Sequence, residues 1–273
     1  MNLQGKTILV TGASRGIGRA IALELSHQGV QRLILVARNY SRLAEVATEI
    51  EAFGVEAVPL ALDLAQPVEV NIAIAQAWRD YGPIDLLVNC AGVAYQTPFL
   101  RSQLHQVQEE IAINLVGMYT ITRLIARRMA VQRQGTIINV SSLMGKIAAP
   151  TMATYSATKF AILGFTQALR SELSVHNIRV IALLPSLTDT DMVRNFQWFR
   201  WVIPTTPQKV AQTLVKGLQK GTPEILVGWQ SHLAVWGNRL VPWLMEKVSG
   251  LAAPFSEERQ TFKRLKEAVA NSR

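Results

Sequence analysis

Along the first two-thirds of the chain, short unbroken apolar runs alternate with longer stretches whose apolar residues recur every three or four positions. Runs of Val, Ile and Leu without polar alternation are what strands covered on both faces require. They predict strands over residues 7–11, 32–37, 57–61, 84–89, 135–141, 178–184 and 224–227. The helical period predicts helices over 16–28, 41–53, 68–81, 104–132 (two helices, or one broken near Asn114) and 154–176. Helices lying between strands force crossover connections, so the expected fold is α/β, a doubly wound parallel sheet of about seven strands with helices on both faces. Ligands of such sheets sit beyond the carboxyl ends of the strands, where the winding reverses. A further helical stripe, Leu233, Trp236, Leu240, Val241, Leu244 and Val248, predicts a C-terminal helical extension. The pattern leaves open whether that stripe lies in a membrane interface or packs on its own domain or a partner subunit.

Composition narrows this picture. Of 273 residues, 49% are hydrophobic and 17% charged, which favours a sizeable core and excludes global disorder. No repeat, low-complexity tract or Gly/Ser linker divides the chain, so one domain over 1–273 is expected. Cys90 is the single cysteine, and no internal disulfide is possible. Residues 1–6 lead straight into an apolar strand too short for a secretory core, and Arg239 and Glu246 interrupt the best apolar run, 229–251. A cytoplasmic protein is expected, soluble or peripheral on a membrane surface. The net charge of +9 is uneven: residues 1–195 hold 17 Lys/Arg and 14 Asp/Glu, residues 196–273 hold 11 and 5. No Lys/Arg cluster interleaved with aromatics is present, so the balance points to an acidic substrate, an anionic surface or plain solvation rather than nucleic acid. No metal ligand set is expected.

Two segments carry chemistry. The first predicted strand is followed by Thr11-Gly12-Ala13-Ser14-Arg15-Gly16-Ile17-Gly18 and then by a helix. A glycine-rich turn in that position brings backbone amides to a pyrophosphate at the positive end of the helix dipole. Gly12 relaxes the turn, Gly16 permits close approach, and Gly18 lets helix and strand pack. The second strand ends in Ala37-Arg38-Asn39 and has no acid to bind ribose hydroxyls. Arg38 and Arg15 instead offer two guanidiniums for a 2′-phosphate, so NADP(H) is favoured over NAD(H). The second segment is Tyr155-Ser156-Ala157-Thr158-Lys159, with phenol and ammonium four apart on one helix face. The ammonium is expected to lower the tyrosine pKa and ready it for proton exchange with a carbonyl or alcohol. Thirteen residues earlier, Ser142 ends a strand and offers a hydroxyl for the substrate oxygen.

Together these motifs resemble the short-chain dehydrogenase/reductase family, over about residues 5–195 in register. The resemblance implies a Rossmann-type fold and adds Asp63-Leu64 for adenine, Asn89-Cys90-Ala91-Gly92 after the fourth strand, and Asn114 in the following helix. By similarity, Ser142 orients the substrate, Tyr155 is the acid/base, and Lys159 tunes Tyr155 and binds the nicotinamide ribose. Asn114 holds a water that relays protons to Lys159. The chain departs from the family twice. Cys90 stands for a second asparagine and reads as a small packed residue, and Ser186 stands for the glycine after Pro185, which loosens the expected cofactor contacts of Pro185, Leu187 and Thr190. Residues 196–228 are expected to hold a substrate lid and the last helix and strand, and 229–273 a divergent extension ending in a charged helix over 257–270. The function expected is NADPH-dependent reduction of an apolar, lipid-like ketone or aldehyde by a homodimer or homotetramer. Oxidative action on an alcohol is the runner-up, and a non-catalytic dinucleotide sensor a distant third.

Overall fold

The computed structural model describes residues 2–254. The charged helix expected over 257–270 lies outside the described residues. Seven parallel strands form one sheet: β1 (Thr7–Thr11), β2 (Arg32–Ala37), β3 (Glu56–Ala61), β4 (Leu86–Asn89), β5 (Gly135–Val140), β6 (Ile178–Leu184) and β7 (Glu224–Leu226). Their order is β3-β2-β1-β4-β5-β6-β7, so the winding reverses between β1 and β4. Helices α1 (Gly16–Ser26), α2 (Tyr40–Glu51) and α7 (Pro207–Lys220) share one apolar layer with Ile8, Val10, Leu33 and Leu35. Helices α3 (Pro67–Tyr81) and α5 (Met118–Gln132) share the other with Leu9, Ile34, Val36 and Leu87. Successive strand residues thus feed opposite layers, which is why the strands are apolar without alternation.

The helix expected over 104–132 is broken where Asn114 stands. Helix α4 (Leu104–Ile111) passes through a π turn, Ala112–Gly117, into α5. A side chain at Gly117 would sit 2.6 Å from the carbonyl oxygen of Leu64, so the loop after β3 packs directly on this turn. Helix α6 (Ala153–Ser174) follows β5 and carries Tyr155 and Lys159 in its first two turns.

The C-terminal stripe is not one helix. Helix α8 (Trp229–Leu240) ends at Val241, which is non-helical (φ −137°, ψ 64°), and α9 (Pro242–Ala252) begins with proline at its first position. Proline has no N–H to continue α8 but suits a first turn, so the single expected helix becomes a hairpin of two.

Candidate active site

A cavity of about 720 Å³ opens over the carboxyl ends of the strands and spans the reversal between β1 and β4. One end is formed by the glycine turn. Gly12 has φ +70°, and a Cβ there would stand 2.9 Å from Ala91 Cα, while a Cβ on Gly18 would run into the Gly12 carbonyl oxygen. Only glycines let β1, α1 and the loop after β4 close to this distance. Arg15 precedes α1 in extended conformation and gives it no side-chain cap. The first amides of α1 therefore face the cleft, the donor set a pyrophosphate needs. Thr11 Oγ1 accepts hydrogen bonds from the Cys90 and Ala91 amides, both 3.0 Å, and so ties the β4 loop to this end.

Ser14, Arg15, Gly16, Ile17, Arg38, Asn39, Asp63 and Leu64 line the same end, and Ala91, Gly92, Pro185, Leu187 and Thr190 the middle. Asn39 also caps α2, its Oδ1 accepting from the Arg42 amide at 2.9 Å, and Asp63 Oδ1 accepts from the Ala65 amide at 3.0 Å. Both arginines are held by acids from across the cleft. Arg38 pairs with Glu109 at 3.3 Å, and Glu109 also takes the Tyr95 hydroxyl, while Arg15 approaches Asp191 at 3.8 Å. Ser186 does not displace its loop from the cleft. The Pro185 carbonyl accepts from the Leu143 amide at 2.8 Å, and Thr205 pairs with Leu187 and Asp189.

Ser142, Tyr155 and Lys159 form the floor. Ser142 Oγ lies beside the Tyr155 phenol and accepts the Met144 amide at 3.1 Å. Lys159 Nζ lies 5.4 Å from the centre of the Tyr155 ring and donates to the Val140 carbonyl at 3.1 Å. Burial pushes the phenol up to about 12, the Ser142 hydrogen bond opposes this, and Glu110 and Cys90 add to the rise. The expected lowering of the tyrosine pKa by its ammonium neighbour is therefore overturned: desolvation disfavours the phenolate more than its surroundings favour it. Burial also brings Lys159 down to about 8, and pushes the Cys90 thiol up to about 12, which leaves that thiol unreactive.

Two named residues stand behind the floor rather than on it. Asn89 is buried and donates to Thr122 Oγ1 and Asn139 Oδ1, both 2.8 Å, in a polar chain beneath the sheet end. Asn114, also buried, clamps the residue after Gly92: its Oδ1 accepts the Val93 amide at 2.8 Å, and its Nδ2 donates to the Val93 carbonyl at 2.9 Å and to Thr158 Oγ1 at 3.2 Å. One turn earlier on α4, Glu110 does the same for Tyr95, accepting its amide at 2.7 Å. Its sequence gave no sign of this, because a lone acid on an amphipathic helix reads as solvated; here it is 2% exposed, and burial raises its pKa. Opposite the floor, the lid 196–203 meets the cleft wall through Gln96, whose Nε2 donates to the Gln197 carbonyl at 2.9 Å while its Oε1 accepts the Gln197 amide at 2.7 Å. Met144, Ile147, Phe196, Trp198 and Met245 make that end apolar.

A model of the short chain dehydrogenase family matches residues 6–200. The 3-oxoacyl-(acyl-carrier-protein) reductase of Synechocystis sp. is 37% identical over 193 residues, covering 71% of this chain and 78% of that protein. The corresponding reductase of Aquifex aeolicus is 38% identical over 193 residues, covering 70% and 77%. Among solved structures, a short chain dehydrogenase from Burkholderia cenocepacia in complex with NADP superposes with a TM-score of 0.80 at 27% identity, over 93% of this chain and 100% of that one. One from Sphingobium yanoikuyae in complex with NADPH gives 0.77 at 26% identity, over 88% and 95%. The chain belongs to the short-chain dehydrogenase family and is an oxidoreductase acting between CH–OH and C=O groups.

Proposed function

We propose that the protein reduces apolar, lipid-like ketones or aldehydes with NADPH. The observation that carries this reading is one cleft with an amide-rich glycine turn at one end, apolar side chains at the other, and Ser142, Tyr155 and Lys159 between them. The cofactor assignment is supported by Arg38 and Arg15 on the rim, by the absence of an acid at the end of β2, and by structural neighbours that carry NADP and NADPH. The α1 amides and the glycine turn would hold the dinucleotide's pyrophosphate, and Lys159 its nicotinamide ribose. When bound, the reduced nicotinamide supplies hydride to the carbonyl carbon.

The remaining steps belong to this chain's residues. The Ser142 hydroxyl holds the carbonyl oxygen beside the phenol. Tyr155 gives its proton to that oxygen as negative charge develops on it, and the Lys159 ammonium stabilises the phenolate left behind. Asn114 and Glu110 keep the chain 93–95 pinned to α4 and the π turn, which fixes the wall beside Gly92. A phenol pushed up to about 12 enters the cycle with its proton and serves as an acid, whereas oxidation of an alcohol needs the phenolate first. Self-association as a homodimer or homotetramer is part of the reading, supported by Val116, Tyr119 and Phe160, which are exposed on neighbouring elements.

The test is NADPH consumption against a series of 2-ketones of increasing chain length. The expected result is kcat/KM rising roughly tenfold per added pair of methylenes until the apolar end is filled, since each buried methylene contributes ~0.8 kcal/mol. A flat series, or a preference for short hydrophilic carbonyls, removes the apolar substrate.

A further inference from the structure

The lid, α8 and α9 bury almost nothing. On α8 only Ser231 is buried, and on α9 only Ala252. Of the 25 large apolar side chains exposed among the described residues, 12 lie between Trp198 and Leu251, so the exposure is concentrated rather than scattered. Trp229, Leu233, Trp236 and Leu240 are spaced four, three and four apart, one face of α8. Leu244, Val248 and Leu251 repeat this on α9. The lid continues the surface: Gln230 Nε2 donates to the Trp201 carbonyl at 3.3 Å, and the Arg200 amide donates to the Ala252 carbonyl at 2.8 Å. The same three elements line the cleft from within, through Trp198, Ala234 and Met245.

We propose that this surface rests on an anionic bilayer, with its tryptophans at headgroup level, and passes an apolar carbonyl compound between the bilayer and the cleft. Tryptophan is the residue suited to that depth, having an apolar body and one polar N–H. The charge is complementary: the lid, α8 and α9 carry Arg200, Arg239 and Lys247 against Glu246 alone. Lys247 lies over the Trp243 ring, Nζ 5.3 Å from its centre, so an ammonium accompanies an exposed indole. A second copy of the chain would cover the same apolar area, but a two-fold contact would set one net-basic face, with Arg200, Arg239 and Lys247 against Glu246, on another of the same sign. No helix among the described residues is long and apolar enough to cross a membrane, so the surface lies on the bilayer. The purpose given to the contact rests on the reductase reading; the contact itself does not.

The experiment is co-sedimentation of the full chain with phosphatidylcholine vesicles, with and without phosphatidylglycerol, beside quenching of tryptophan emission by lipids brominated on the acyl chain. Wild type should bind the phosphatidylglycerol vesicles and be quenched. The Trp236→Ser/Leu240→Ser/Trp243→Ser variant, altered only at exposed positions outside the cleft, should bind at least tenfold more weakly and still reduce a short water-soluble ketone at the wild-type rate. Lack of vesicle binding or of quenching by wild type overturns the proposal. So does sedimentation velocity in which wild type is an oligomer and the variant a monomer with no vesicle binding, since a second copy is then the occupant. Absence of ketone turnover in both proteins strikes the reductase reading alone and leaves the vesicle result to decide this one.

Discussion

Tyr155 and Lys159 stand one helical turn apart, and that much could be read from the sequence. The sign of the phenol's shift could not, because it depends on how much water the fold removes. Burial holds the phenol near 12 and the ammonium near 8, so between neutrality and pH 8 the pair is a neutral acid beside a cation. As pH rises through about 8, Lys159 loses its charge while Tyr155 keeps its proton. The phenolate formed on proton donation then has no cation beside it. The rate of ketone reduction at saturating NADPH should therefore be level below about pH 8 and fall above it, and in Lys159→Arg the fall should vanish at a lower overall rate. Initial rates from about pH 6 to 10 check this, and a wild-type profile level throughout would remove Lys159 from the chemistry. Asn89 shows the other limit of reading residues: a motif places it at the end of β4 but not which way it points, and it points into the polar chain with Asn139.

At the scale of elements, the strands and the first helices were legible because both faces of the sheet are buried and the glycine turn punctuates β1 and α1. Boundaries shifted by a few residues where capping decided them, as at Asn39. The π turn was visible only as a disturbance near Asn114; its cause, the Leu64 loop packed on Gly117, is a tertiary contact. The same is true of the pairing of Arg38 with Glu109. The sequence marks the arginine as a phosphate ligand, but a carboxylate on α4 already holds it. A 2′-phosphate must displace that carboxylate and tolerate its charge. Glu109→Gln should thus lower the Kd for NADPH several-fold and leave that for NADH within about twofold, measured by tryptophan quenching; an exposed pair of this kind is worth at most ~1 kcal/mol. Equal changes for both cofactors would separate Glu109 from the phosphate site.

At the scale of the whole molecule, alternating strands and helices were enough to predict a doubly wound sheet, and the winding reversal to place the cleft. The far end of the chain was not legible in the same way. An apolar stripe states that a face avoids water but not what covers it, and Pro242 turned one expected helix into a hairpin whose outer face the domain leaves open. The whole arrangement has one purpose in this reading, to bring a carbonyl and a dinucleotide together above a phenol that still holds its proton. Replacing Tyr155 by Phe removes that proton and almost nothing else. Paired measurements of NADPH Kd and of single-turnover ketone reduction in Tyr155→Phe should give a Kd within about twofold of wild type and a rate lower by ~10²–10⁴-fold. A variant that binds NADPH normally and reduces the ketone at the wild-type rate would contradict it.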